Sequence, residues 1–224
     1  MWKTFIATLF TLLLSLPVLS QGTINAEGSS TVTTVLWFNK TEITVKSSGD
    51  LSSTGSIDLN GETINFSAAG ATFGSGLSNM ETLATMAWNL VNASGTTENG
   101  VPISIRGGVT ISSSETDLAT CSLGSGTGVF FFVVELPDRL VYVRGDAAGA
   151  ATGTFVRPED PSTMQIEGTG AFVFQGEVLA EEIASTLGSE EALLVELPWD
   201  LSTWPEELLA QLVELILNRP SEEE

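Results

Sequence analysis

The sequence predicts a mainly β protein, an antiparallel barrel or sandwich of about nine or ten strands with one inserted helix and a C-terminal amphipathic helix packed on the sheet. Three observations predict it. From Gly128 to Gly145, two runs of β-branched and aromatic residues flank Leu136-Pro-Asp-Arg139, the pattern of a hairpin. Alternation sends Phe130, Phe132 and Val134 to one face of its first strand and Phe131 and Val133 to the other, so this strand asks for cover on two sides. Past Gly176 the composition changes, and the chain ends in a segment with helical apolar spacing and many acids.

The N-terminus stands apart from the fold. Lys3 gives a short basic start, Phe5 to Leu14 an apolar stretch, and Pro17 to Ser20 a helix break with small residues, the three parts of a secretory signal peptide. The apolar run falls short of the roughly 20 residues a membrane helix needs. Residues 1–20 are therefore expected to be cleaved, residues 21–176 to form a β-rich domain, and residues 177–224 an acidic helical segment packed on it. The expected location is secreted, periplasmic or in the cell envelope. No later run is long and apolar enough to span a membrane.

The net charge is −20, from 28 acidic and 8 basic residues. An acidic surface repels nucleic acid and anionic lipid, which excludes both as expected partners. A single cysteine, Cys121, forbids an intramolecular disulfide. Its small and apolar neighbours include no basic group to lower its pKa, so it is expected to be buried and inert.

Along the chain, Thr31 to Phe38 and Thr41 to Lys46 read as strands, and Ser47-Ser-Gly-Asp50 as a break. Asn60-Gly61 is the dipeptide that best accepts the positive φ angles of a type I′ turn. A two-residue loop there sets Leu59 opposite Glu62 and Ile57 opposite Ile64. Ser78-Asn-Met-Glu81 has the form of a capping box, and Met80, Leu83, Ala84, Ala87, Leu90 and Val91 follow a 3.6-residue period; this is the inserted helix, ended by Asn92-Ala-Ser-Gly95. Val101 to Arg106 and Val109 to Ser112 read as two strands. Ala147 to Val156 is a strand of small residues, which implies close backbone approach or a tight corner. Met164 to Gly176 is a long strand. Val178 to Leu187 has a helical pattern, and Glu190 to Leu197 suits either a helical turn or an edge strand. Pro205 with Glu206 and Glu207 opens the last helix, whose leucine-rich face is too wide to leave in water.

The chain has no histidine, which excludes Ser-His-Asp and Cys-His nucleophile systems and every histidine-containing metal site. Asp58-Leu-Asn-Gly-Glu62 offers oxygens at spacings calcium could use, but it lacks the other EF-hand positions and a hairpin turn accounts for it. Gly126-Thr-Gly-Val-Phe130, Thr152-Gly-Thr-Phe155 and Gly168-Thr-Gly-Ala-Phe172 echo one another. No helix with the P-loop Lys-Ser/Thr follows, so these are expected to be strand-edge glycines that let a sheet coil or close. Asn39, Asn65 and Asn92 head Asn-x-Ser/Thr sequons. Trp37 and Trp88 are expected in the core, with Trp199 and Trp204 wedging the last helix. No catalytic, cofactor-binding or metal-ligating residue is assigned, and no cofactor is expected.

Two functions fit. One is a non-catalytic secreted or envelope protein that binds a small ligand or a protein partner through its barrel or sandwich. The other is an extracellular carboxylate-dependent hydrolase, open because acids are plentiful. The absence of histidine and of any catalytic signature favours the first.

Overall fold

The structure, a computed structural model, describes residues 22–39, 41–79, 84–113, 122–156, 163–183 and 197–217. Eight strands follow one another: β1 (Gly22–Phe38), β2 (Glu42–Leu59), β3 (Glu62–Asn79), β4 (Thr85–Thr97), β5 (Pro102–Ser113), β6 (Ser122–Leu136), β7 (Arg139–Val156) and β8 (Thr163–Ile183). Each pairs antiparallel with the next, and β8 returns to pair with β1, so the sheet closes in a ring without a free edge. The choice between barrel and sandwich thus resolves to a single closed sheet. Among the described residues, a short 3₁₀ turn (Leu201–Thr203) and one helix, α1 (Glu206–Leu217), follow.

The two turns with the clearest local chemistry set the register as expected. Asn60 (φ 52°) and Gly61 (φ 88°) both take the positive φ of a type I′ turn, pairing Leu59 with Glu62 and Ile57 with Ile64. Asp58 accepts hydrogen bonds from Thr63 Oγ1 (2.6 Å) and Thr23 Oγ1 (3.3 Å), so its carboxylate serves the hairpin. Pro137 and Asp138 make the second tight turn, with Leu136 opposite Arg139.

Several expectations are corrected. The strands number eight, not nine or ten, because they are longer than the apolar runs that mark them. Serine, threonine and glycine carry the pairing onward, so Ser47-Ser-Gly-Asp50 lies within β2, and Gly107-Gly108 joins two expected strands into β5. The described residues of the expected inserted helix are strand instead: Ser78 and Asn79 end β3, and Thr85–Thr97 is β4. Residues 80–83 of that expected helix lie outside the described residues. The helical period arose because β4 is covered on both faces, with Ala87 and Val91 inward and Trp88 and Leu90 outward. An apolar residue on each face breaks the alternation that marks a one-sided strand. The sheet also does not stop at Gly176. β8 continues to Ile183 through the start of the expected Val178–Leu187 helix, with a register shift opposite Tyr142 and Val143. Glu190–Glu196 and Cys121 lie outside the described residues.

Two apolar layers result. The inner core holds Phe130, Phe132 and Val134. Phe131 and Val133 point outward, where Trp88, Leu90 and Leu140 join them beneath Trp199, Trp204, Leu208, Leu209 and Leu212. The two-sided strand of the central hairpin and the wide face of the last helix therefore cover each other. Gly108 makes the fit possible. A Cβ there would stand 2.8 Å from Trp204 Cη2 and 3.1 Å from Trp199 Cη2, so the missing side chain opens a slot for the tryptophan pair. Their rings lie 4.9 Å apart, and Trp199 Nε1 donates to the Val129 carbonyl at 3.3 Å. Asp200 caps the 3₁₀ turn by accepting from the Ser202 amide (2.9 Å), and hydrogen bonds from the Ser202 hydroxyl and then its amide hold the carboxyl below the usual aspartate range. Trp37, expected in the core, is 38 % exposed at the end of β1.

Candidate functional site

The inside of the ring is unevenly filled. At the end bearing the Asn60-Gly61 and Pro137-Asp138 turns, inward positions carry large side chains such as Ile57, Leu59, Phe130, Val134 and Val141, all fully or almost fully buried. Toward the other end the same faces shrink. On β6 the inward series runs back from Phe132 and Phe130 to Gly128 and Gly126. On β8 it runs from Phe174 and Phe172 to Gly170 and Gly168, and on β7 it passes from Val143 to Gly145, Ala147, Gly149 and Ala151. Strands of constant spacing bearing shrinking side chains leave a space, because the backbone cannot close in to fill it. The space is an elongated lumen of about 230 Å³.

Phe66, Phe132 and Phe174 form its floor, with the rings of Phe132 and Phe174 edge to face at 5.2 Å. Phe172 lies along the inner wall against Gly28, where a Cβ would come within 2.6 Å of its ring. On the β8–β1–β2 side, Leu36, Ile43 and Ile166 pack as a separate buried cluster. None of the described lining residues carries a charge. The polar groups are hydroxyls, among them Thr34, Ser47, Thr72 and Thr85, and one amide, Asn89. Asn89 folds over Gly74, its Oδ1 lying where a Cβ of that glycine would be (2.0 Å), and accepts a long hydrogen bond from Ser47 Oγ at 3.4 Å.

The charges are on the outside. Arg106 bonds Glu135 (2.7 Å), Arg144 bonds Glu177 (3.0 Å), and Arg139 bridges Asp138 (2.6 Å) and Glu181 (2.8 Å). The hydrogen bond from Arg139 holds the Asp138 carboxyl below its ordinary value of 3.8, against a smaller opposing effect of desolvation. Lys46 reaches Glu207 on α1 at 3.5 Å, a solvent-exposed pair worth little. Among the described residues, no three His, Cys, Asp or Glu side chains group as a metal site would. The sequon asparagines Asn39, Asn65 and Asn92 are all exposed.

Sequence reasoning assigned no site residues, so it missed the lumen. The signal was present in the Gly-x-Gly echoes. Spacing of two puts both glycines on one strand face, and Phe130 and Phe172 show that this is the inward face. These glycines are inside the ring, where they remove side-chain volume, rather than at strand edges.

No protein-family model matches the chain, and no curated protein matches it. Among solved structures, the chain aligns along its full length with 73 % of the secretin InvG from the Salmonella SPI-1 type III secretion injectisome (residues 176–end, open gate state), at 9 % identity and a TM-score of 0.13. It aligns with 75 % of an InvG secretin-domain β-barrel at 10 % identity and a TM-score of 0.12. Likeness at this level carries no argument about fold or function.

Proposed function

We propose that this chain is a non-catalytic secreted or envelope protein that binds a small apolar ligand inside its ring of strands. The observation that carries this reading is the lumen, emptied at one end by small inward side chains and walled without a charge among the described residues. An eight-stranded ring is just wide enough either to be filled by its own side chains or to hold one small ligand. This ring does the first at one end and leaves room for the second at the other. On the measure by which one water occupies some 15 Å³, the lumen takes on the order of fifteen water-sized groups. Burying apolar surface at about 25 cal/mol per Å² supplies the driving force. The signal-like segment 1–20 supports export. The hydrolase alternative draws no support from the lumen, because no acidic side chain lines it among the described residues.

The test is titration with Nile red, a neutral dye that brightens in apolar surroundings, alongside variants that fill the lumen. Ala87 and Ala151 both line it. Ala87→Leu with Ala151→Leu should weaken dye binding at least about tenfold while the far-UV circular dichroism stays unchanged. Equal dye affinity in wild type and filled variant would place the dye outside the ring and sink the reading.

A further inference from the structure

We infer that the ligand is an uncharged, elongated apolar molecule bearing one hydrogen-bonding oxygen, held with that oxygen at Asn89 and its apolar body toward the phenylalanine floor. The inference rests on the lumen being a ligand site and specifies what fills it.

Two features select the class. The first is charge. None of the described residues lining the lumen is acidic or basic. A carboxylate or ammonium group would lose its water there and meet no counter-charge, a loss far larger than that for a hydroxyl or carbonyl. The second is the state of Asn89. Its amide can make about four hydrogen bonds. Its one side-chain bond among the described residues is the long bond from Ser47. Nδ2 therefore keeps its donors for a ligand oxygen, with the Ser47 hydroxyl beside the amide. Thr34 pairs with Ser47, Ser47 with Gly74 and Gly74 with Asn89 across β1 to β4, so the hydroxyls and the amide share one rung of the ring. Gly74 is the gap in that rung, and Asn89 lies over it. A side chain there would push the amide away, since its Cβ would stand 2.0 Å from Oδ1.

The direction of the ligand follows from what lies on either side of this rung. Toward the filled end come Val91, Ala93 and Ile105, then Phe66, Phe132 and Phe174, which have no side-chain hydrogen-bonding group to offer; the polar groups on that side are the single hydroxyls of Ser30, Ser53 and Thr72 on β1 to β3. An oxygen placed against the three rings would be desolvated and unpaired, whereas at Asn89 it meets an amide donor.

The experiment uses the full mature protein and four ligands that share a twelve-carbon chain: dodecane, dodecan-1-ol, dodecanoate and dodecylammonium. Each competes with Nile red at about pH 8, where the last two are charged. The alcohol should bind at least about tenfold tighter than either ion and several-fold tighter than the alkane. Asn89→Leu should cut the preference for alcohol over alkane to near unity while leaving dodecane affinity unchanged or stronger. Dodecanoate or dodecylammonium binding as tightly as the alcohol would overturn the inference, and so would an unchanged alcohol-to-alkane ratio in Asn89→Leu. The wild-type series needs no variant, so it decides the matter even if Asn89→Leu misfolds. Failure of all four ligands to displace the dye would instead overturn the ligand-binding reading itself, and this inference with it.

Discussion

Removing Trp204 tests whether the outer cover and the ring form one cooperative structure. Trp204 is 1 % exposed, tilted against Trp199 and seated over Gly108 between the sheet and α1. Truncating a buried aromatic to alanine costs about 3–5 kcal/mol, since it combines lost transfer energy with a cavity that the surroundings only partly fill. In a chain of this size each kcal/mol moves the melting temperature by roughly 2–4 °C. Trp204→Ala should therefore melt roughly 6–20 °C below wild type by differential scanning calorimetry. Trp204→Phe should lose less than half as much. It keeps much of the apolar contact and removes an indole N–H that has no acceptor among the described residues, and such a buried donor costs about 1–3 kcal/mol. Gly108→Val attacks the same contact from the sheet side, filling the slot instead of emptying it, and should also lower the melting temperature. A Trp204→Ala melt within about 2 °C of wild type would refute the reasoning. It would mean that α1 and the tryptophan pair lie on a ring that is stable without them.

Two smaller perturbations test local chemistry. Gly61 has φ 88° with open space where a Cβ would go, so Gly61→Val meets no clash but does meet backbone strain. It should lower stability by about 1–3 kcal/mol, seen as a lower urea midpoint at unchanged slope; an unchanged midpoint would contradict the type I′ turn. The depressed pKa of Asp138 contributes stability that is present above its ordinary value of 3.8 and is lost as pH falls through the lowered folded value. The pair is surface-exposed, so the stability effect is small and the titration is the better readout. Arg139→Ala should move the Asp138 carboxyl midpoint up toward 3.8 in a ¹³C NMR titration, and an unmoved midpoint would show that Arg139 is not the cause.

Local features were the legible ones. Asn60-Gly61 and Pro137-Asp138 each specify a turn through the φ angles their residues accept, and a two-residue turn sets the register of everything it joins. The apolar pair Phe131 and Val133, opposite Phe130 and Phe132, likewise announced a strand covered on both sides. The leucines of α1 announced a helix in need of a surface. The two needs could be matched before any coordinates because burial is worth too much to leave either face in water.

Thr85–Thr97 shows where this reasoning fails. Its apolar residues fit a helical period as well as a strand's, and only the neighbours decide: β3 and β5 pair with it on either side, and α1 covers its outer face. The same holds for Val178 to Ile183, which pairing with β7 holds in the sheet against its helical pattern. Strand count and closure are also tertiary facts, since the serine- and threonine-rich stretches become strand only when partners satisfy their backbone groups. The lumen is the furthest from local legibility. Each glycine or alanine is unremarkable in its own strand, and a cavity exists only because closure turns the small-residue ends of β6, β7 and β8 toward Asn89 on β4. The turns, the two-faced hairpin and the amphipathic helix are legible in the chain alone, because those depend on residues near one another along it. The tertiary structure decided the eight-strand ring and its hollow end, because those depend on what the strands leave unfilled once they meet.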